Sequence, residues 1–162
     1  MFPGMTFAHR FVIVTLCIGL ATCGSDPSPS APASRLLQVG GSYQITKTGQ
    51  EDTCGGPLTP FVGAGAVAHT PGAGTFLLSD SFTEYRGNVS PDGTFTVAAQ
   101  NTAPHQGAPV VTSFQNGRFA AEGFNVQVRL DIDGPRGTPA FPACFVAQSW
   151  RGVKQGSPNV IP

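Results

Sequence analysis

Residues 124–133, FNVQVRLDID, place Phe124, Val126, Val128, Leu130 and Ile132 at every second position, with Asn125, Gln127, Arg129, Asp131 and Asp133 between them. Successive side chains of a β-strand point to opposite faces, so ten residues of strict alternation predict a strand with one buried and one wet face. At a helical period the same apolar groups would be scattered around the whole circumference. A strand of this kind needs neighbours to cover its apolar face. The composition supplies them: 21 Gly, 15 Pro and only 11% charged residues favour short strands joined by turns over helices.

Seven further strands are expected, at 41–48, 61–69, 75–82, 85–90, 94–99, 110–120 and 144–154. Ser90-Pro91-Asp92-Gly93 is the strongest turn: proline presets φ, aspartate favours turn geometry and glycine accepts the left-handed conformation. Thr70-Pro71-Gly72 is a second turn. Asn116-Gly117 is read as a bend inside one long strand rather than as a hairpin, which would leave a very short strand behind it. Residues 50–60, 101–109 (carrying His105) and 134–142 are expected loops. Sequential strands tend to pair with their neighbours. The expected fold is therefore all-β, an eight-stranded antiparallel up-and-down barrel over residues 41–155, followed by a polar tail at 156–162. An immunoglobulin-like β-sandwich is the alternative.

The N-terminus reads as a targeting segment. His9 and Arg10 precede ten apolar residues, FVIVTLCIGL, at 11–20. That run is shorter than the roughly 20 residues a transmembrane helix needs and fits a secretory core. Leu20-Ala21-Thr22-Cys23 follows and resembles the lipobox of bacterial lipoproteins. The resemblance implies that residues 1–22 are a signal peptide and that the Cys23 thiol carries a lipid. Residues 23–40 are then a Pro/Ser-rich tether. It also implies export and a lipid anchor in the cell envelope; Gly24 rather than Asp after the cysteine points to the outer membrane in a Gram-negative host. An ordinary signal cleaved after Ala31-Pro32-Ala33, giving a soluble periplasmic or secreted protein, is the alternative. With Cys17 in the signal and Cys23 lipidated, Cys54 and Cys144 are left to form one disulfide. Such a bridge joins the end of the first strand to the start of the last, which favours a closed barrel.

Nine basic and nine acidic residues leave no electrostatic footprint for nucleic acid, and loss of Arg10 with the signal leaves −1. No catalytic residues, metal site or cofactor are expected. His69 and His105 lie near turns without a nucleophile motif, and Asp131-Ile132-Asp133-Gly134 lacks the later ligands of a calcium loop. Aromatic residues recur about once per strand. Most fill a core, while Tyr43, Phe76, Tyr85, Phe95 and Trp150 are candidates to line a ligand cavity. The layout over residues 40–154 resembles lipocalin- and avidin-type barrels. Gly41-Ser42-Tyr43 stands where those carry Gly-x-Trp, so the likeness implies architecture and no ligand residues. It is similar in layout, too, to small bacterial envelope lipoproteins that end in a Cys-led strand with Trp-x-Gly (Cys144, Trp150, Gly152). The expected function is a membrane-tethered envelope barrel, not an enzyme, that holds a small apolar molecule. A non-catalytic structural module meeting an envelope protein or glycan is the alternative. Metabolic labelling with a clickable fatty acid should tag the wild type and not Cys23→Ala; label that survives the substitution excludes lipidation at Cys23.

Overall fold

The structure is a computed structural model that describes residues 35–105, 108–133 and 143–162. The signal segment, the lipobox and the loop at 134–142 lie outside the described residues. Among the described residues, nine strands form: β1 (Gly41–Asp52), β2 (Phe61–Ala68), β3 (Thr75–Ser79), β4 (Glu84–Val89), β5 (Thr94–Val97), β6 (Gln100–His105), β7 (Ala108–Ala120), β8 (Gly123–Ile132) and β9 (Cys144–Lys154). All pairings are antiparallel, in the order β5-β4-β3-β2-β1-β9-β8-β7-β6, and β5 also pairs with β7. That last pairing closes an eight-stranded barrel, with β6 as an extra strand. β1 and β9, the first and last strands, are neighbours from Tyr43↔Lys154 to Asp52↔Val146. The Cys54–Cys144 disulfide sits just beyond that ladder with Cα atoms 5.2 Å apart. Across a separation of 90 residues the chain-entropy model gives it about 4.6 kcal/mol.

The expected loop at 101–109 is instead mostly strand. The β4–β5 ladder ends at Gly87↔Val97, and the chain resumes as β6, bonded among the described strands to β7 alone. Pro104 lies within β6. It has no N–H to give a second ladder, so it fits an edge strand, and the β6–β7 register shifts between Thr102 and His105. Where β4 loses its partner, the Gln100 Nε2 amide donates to the Glu84 carbonyl at 2.7 Å. Asn116-Gly117 is indeed a bend within β7: Asn116 takes φ +55° and the register with β8 shifts between Gln115 and Arg118.

Inward positions alternate along every strand, and their sizes alternate across the ladders. Phe76 faces Gly87, Phe95 faces Gly117, Phe124 faces Gly152, Tyr43 faces Gly65 and Ile45 faces Gly63. In the first three pairs a Cβ on the glycine would run into its partner's side chain, and at Gly65 it would run into Ile45. The lower barrel is thereby filled by Tyr43, Phe76, Phe95, Phe119 and Phe124, with ring centroids 4.7–6.2 Å apart.

The floor is sealed by the two segments flanking the barrel. Gln38 and Val160 exchange backbone hydrogen bonds of 2.9 Å, and buried Asn159 donates through Nδ2 to the Ala120 and Gly123 carbonyls. Residues 37–40, expected in the tether, and 159–161, expected in the tail, therefore belong to the domain. Leu37, Val39 and Ile161 carry apolar surface that the barrel's lower end covers. Gly152→Ala should destabilise the fold by about 1–3 kcal/mol, because the added Cβ would overlap the buried Phe124 ring; a denaturant midpoint equal to wild type would show that the core yields freely there.

Candidate functional site

The end of the barrel opposite the sealed floor holds a cavity of about 320 Å³. Its base is a triad of edge-packed rings: Tyr85 and Phe114 (4.7 Å), Phe114 and Trp150 (5.5 Å), and Tyr85 and Trp150 (5.8 Å). Its wall takes Lys47 from β1, Phe61 from β2, Thr102 from β6, Thr112 from β7, Leu130 from β8, Gln148 from β9, and Asp80, Phe82 and Thr83 from the β3–β4 turn.

Each polar group has a traceable reason for its place. Lys47 continues the inward face of β1 after Tyr43 and Ile45, and pairs across the ladders with Phe61 and Trp150. Its ammonium forms an ion pair with Asp80 Oδ2 and lies 3.9 Å from the centroid of the Trp150 ring, with Phe82 and Phe61 at 5.6 and 5.8 Å. A cation over aromatic faces regains part of the stabilisation it loses on leaving water. Asp80 is 2% exposed. It follows the inward Phe76 and Leu78, and its Oδ1 accepts from the backbone N–H groups of Phe82 (3.1 Å) and Thr83 (2.8 Å). These bonds hold a tight turn in which Ser81 takes φ +78° and its hydroxyl donates to the Ala64 carbonyl at 2.6 Å. The turn leaves Phe82 72% exposed at the rim, its ring 5.7 Å from Phe61. Thr112 is fully buried and its hydroxyl meets that of Thr102 at 3.2 Å. The Trp150 indole N–H donates to Gln148 Oε1 at 2.7 Å.

Of the five aromatic residues expected to line a cavity, the structure brings Tyr85 and Trp150 together at the mouth. Tyr43, Phe76 and Phe95 lie below, in the filled part of the barrel. Tyr43 serves the floor: its hydroxyl donates to the Val39 carbonyl at 2.6 Å and meets Asn159 Oδ1 at 2.8 Å. Lys154 donates to the Gly40 carbonyl and to Asn159 Oδ1 (3.1 Å) beside it, and burial pulls its pKa below the ordinary lysine value. Lys47 and Asp80 were not among the expected site residues. Both are charged residues at positions that strand alternation turns inward, and that conflict was present in the sequence.

Other candidates are occupied structurally. His69 Nε2 contacts the Ala73 carbonyl at 2.9 Å, and Asp131 accepts from Arg129 Nε at 2.8 Å. Among the described residues, no group of three or more His, Cys, Asp or Glu side chains could hold a metal ion. No protein-family model, no curated protein and no solved structure matches the chain.

Tyr85 and Tyr43 both have a pKa raised from 10.0 to about 12. Burial is the main cause in each; the Asp80 carboxylate adds to it at Tyr85, and the Asn159 hydrogen bond opposes it at Tyr43. Between pH 10 and 12 the unfolded tyrosines release protons that the folded ones keep. Stability should therefore be full below pH 10 and fall as pH rises, by up to about 1.4 kcal/mol per unit for each tyrosine. Phenolate absorbance should accordingly appear together with unfolding; ionisation of both residues near pH 10 in the folded protein would contradict it.

Proposed function

We propose that this protein is a small-molecule-binding barrel of the bacterial envelope, tethered by a lipid on Cys23, and that the ligand enters at the mouth beside Trp150. The observation that carries the reading is the asymmetry of the barrel: one end is plugged by its own chain, and the other holds an aromatic-walled cavity of about 320 Å³. Ligand sites usually have volumes of about 300–1,000 Å³, mostly apolar walls and a few placed polar groups. This cavity lies at the lower end of that range, so it suits a compact molecule rather than a long acyl chain. Trp150, Tyr85, Phe61 and Leu130 supply apolar contact, and Lys47, Gln148 and the paired threonines supply orientation. Export is supported by the sequence of the N-terminal segment, and the disulfide is compatible with it.

A second reading rests on the rim, where Phe82, Phe61, Val62 and Leu58 are exposed at 72%, 42%, 55% and 45%. Apolar side chains around an opening suit contact with an envelope protein or glycan as well as ligand entry. Native mass spectrometry of the protein purified from its own envelope fraction separates the two. A co-purifying small molecule that Trp150→Ala releases supports binding; a ligand-free mass, with no small molecule recovered on denaturation, favours the interaction module.

A further inference from the structure

The hydrogen-bonding groups in the mouth are unevenly used, and the imbalance defines a ligand class. Asp80 is nearly filled: Oδ1 takes two backbone N–H groups and Oδ2 takes Lys47, three of about four acceptor sites. An ammonium has three donors, and among the described residues Lys47 spends only the one directed at Asp80. The indole N–H of Trp150 can only donate, which fixes the Gln148 oxygen toward it and leaves the Gln148 NH₂ without a partner among the described residues. The Thr102–Thr112 contact uses one hydroxyl proton and leaves the other. The spare groups that can only donate are therefore on Lys47 and Gln148, while the hydroxyls lining the cavity can serve either role.

Charge narrows the choice further. Lys47 and Asp80 are the only charged groups among the described lining residues, and each neutralises the other. A ligand cation would face Lys47 without a free carboxylate to receive it. A ligand carboxylate would share one ammonium with the buried Asp80, putting two negative charges beside one positive in a poorly solvated site. An uncharged acceptor meets neither penalty. Resting on the small-molecule reading above, we infer that the mouth recognises a compact, uncharged, largely apolar molecule through a carbonyl-type oxygen. That oxygen accepts from the Lys47 ammonium and the Gln148 amide, while the apolar body packs on Tyr85, Leu130 and the rim phenylalanines.

The test is a matched series of one shape: 2-acetonaphthone (uncharged acceptor), 2-naphthoate (anion), 2-naphthylmethylammonium (cation) and 2-ethylnaphthalene (no polar group). Trp150 is the single tryptophan, so its indole N–H gives one indole resonance in a ¹H–¹⁵N spectrum of the labelled full chain, and each titration is read there. The ketone should bind about tenfold or more tightly than each of the others, as expected for a hydrogen bond from a charged donor. The double variant K47M/D80N removes both charges together and so leaves no buried ion unpaired. It should keep the indole resonance dispersed and bind ketone and hydrocarbon alike. Tighter binding of the anion or the cation overturns the charge argument, and equal binding of ketone and hydrocarbon to wild type overturns the acceptor argument; in both cases the mouth still stands as a binding site. A ketone preference that survives in K47M/D80N also overturns the assignment to Lys47. If no member of the series moves the indole resonance, the binding reading itself fails along with the inference.

Discussion

The volume inside an eight-stranded barrel is the constraint on which the rest of this structure depends. Eight strands that all pointed large side chains inward at one level would not close, and eight that pointed small ones would leave a void. This chain sets a bulky residue opposite a glycine across alternate ladders, as at Phe76↔Gly87 on β3–β4, Phe95↔Gly117 on β5–β7 and Phe124↔Gly152 on β8–β9. Each ring lies across the backbone of its glycine partner and covers surface that would otherwise be left unpacked. Glycine weakens an isolated strand through its entropy and its missing side chain. Here the cross-strand ring offsets that weakness, so glycines that look like interruptions in the sequence are parts of the core.

The same alternation that packs the lower barrel produces the mouth. Along β1 the inward face reads Tyr43, Ile45, Lys47, passing from an aromatic group through an aliphatic one to a cation within one strand. At the lower end, the flanking segments bring the Val39 and Gly40 carbonyls to Tyr43 and Lys154, Asn159 reaches the barrel carbonyls of Ala120 and Gly123, and the polar groups are satisfied by the chain itself. At the upper end nothing comparable crosses the opening among the described residues. Lys47 is met by one carboxylate and a ring face. A buried ion pair is no better for stability than a well-packed apolar pair. Here the pair is also tied to the β3–β4 turn, through the two backbone N–H groups that Asp80 accepts.

The seam of the barrel has a local origin too. β5 holds closure to β7 through Thr94↔Arg118 and Phe95↔Gly117, and β6 then continues along β7 without a partner on its other side among the described strands. Pro104 suits that unpartnered edge because it could not have completed a second ladder. The bend at Asn116-Gly117 lies beside this closure, where β7 changes from following β6 to following β5. Tyr85, Thr83 and Thr102 line the mouth on the two sides of this discontinuity, so the cavity lies where the ladder is least continuous.

The sequence by itself determined eight of the nine strands and their inward faces, and favoured the pairing of first with last. Period-two alternation is a local property of the chain, and two cysteines at the ends of distant strands allow few arrangements. It named Tyr85 and Trp150 as candidates to line a cavity, but it put Tyr43, Phe76 and Phe95 in the same group. An inward aromatic reads identically at the floor, in the middle or at the mouth, because alternation fixes which side a residue faces and not how far along the barrel axis it lies. That height is set by register between strands, a non-local quantity. Only the tertiary structure decided that Lys47 meets Asp80 across 33 residues, that glycines in separate strands sit beneath particular rings, and that residues 159–161 return to seal the floor. Each of these depends on two segments arriving at the same level, and no property of either segment alone encodes it.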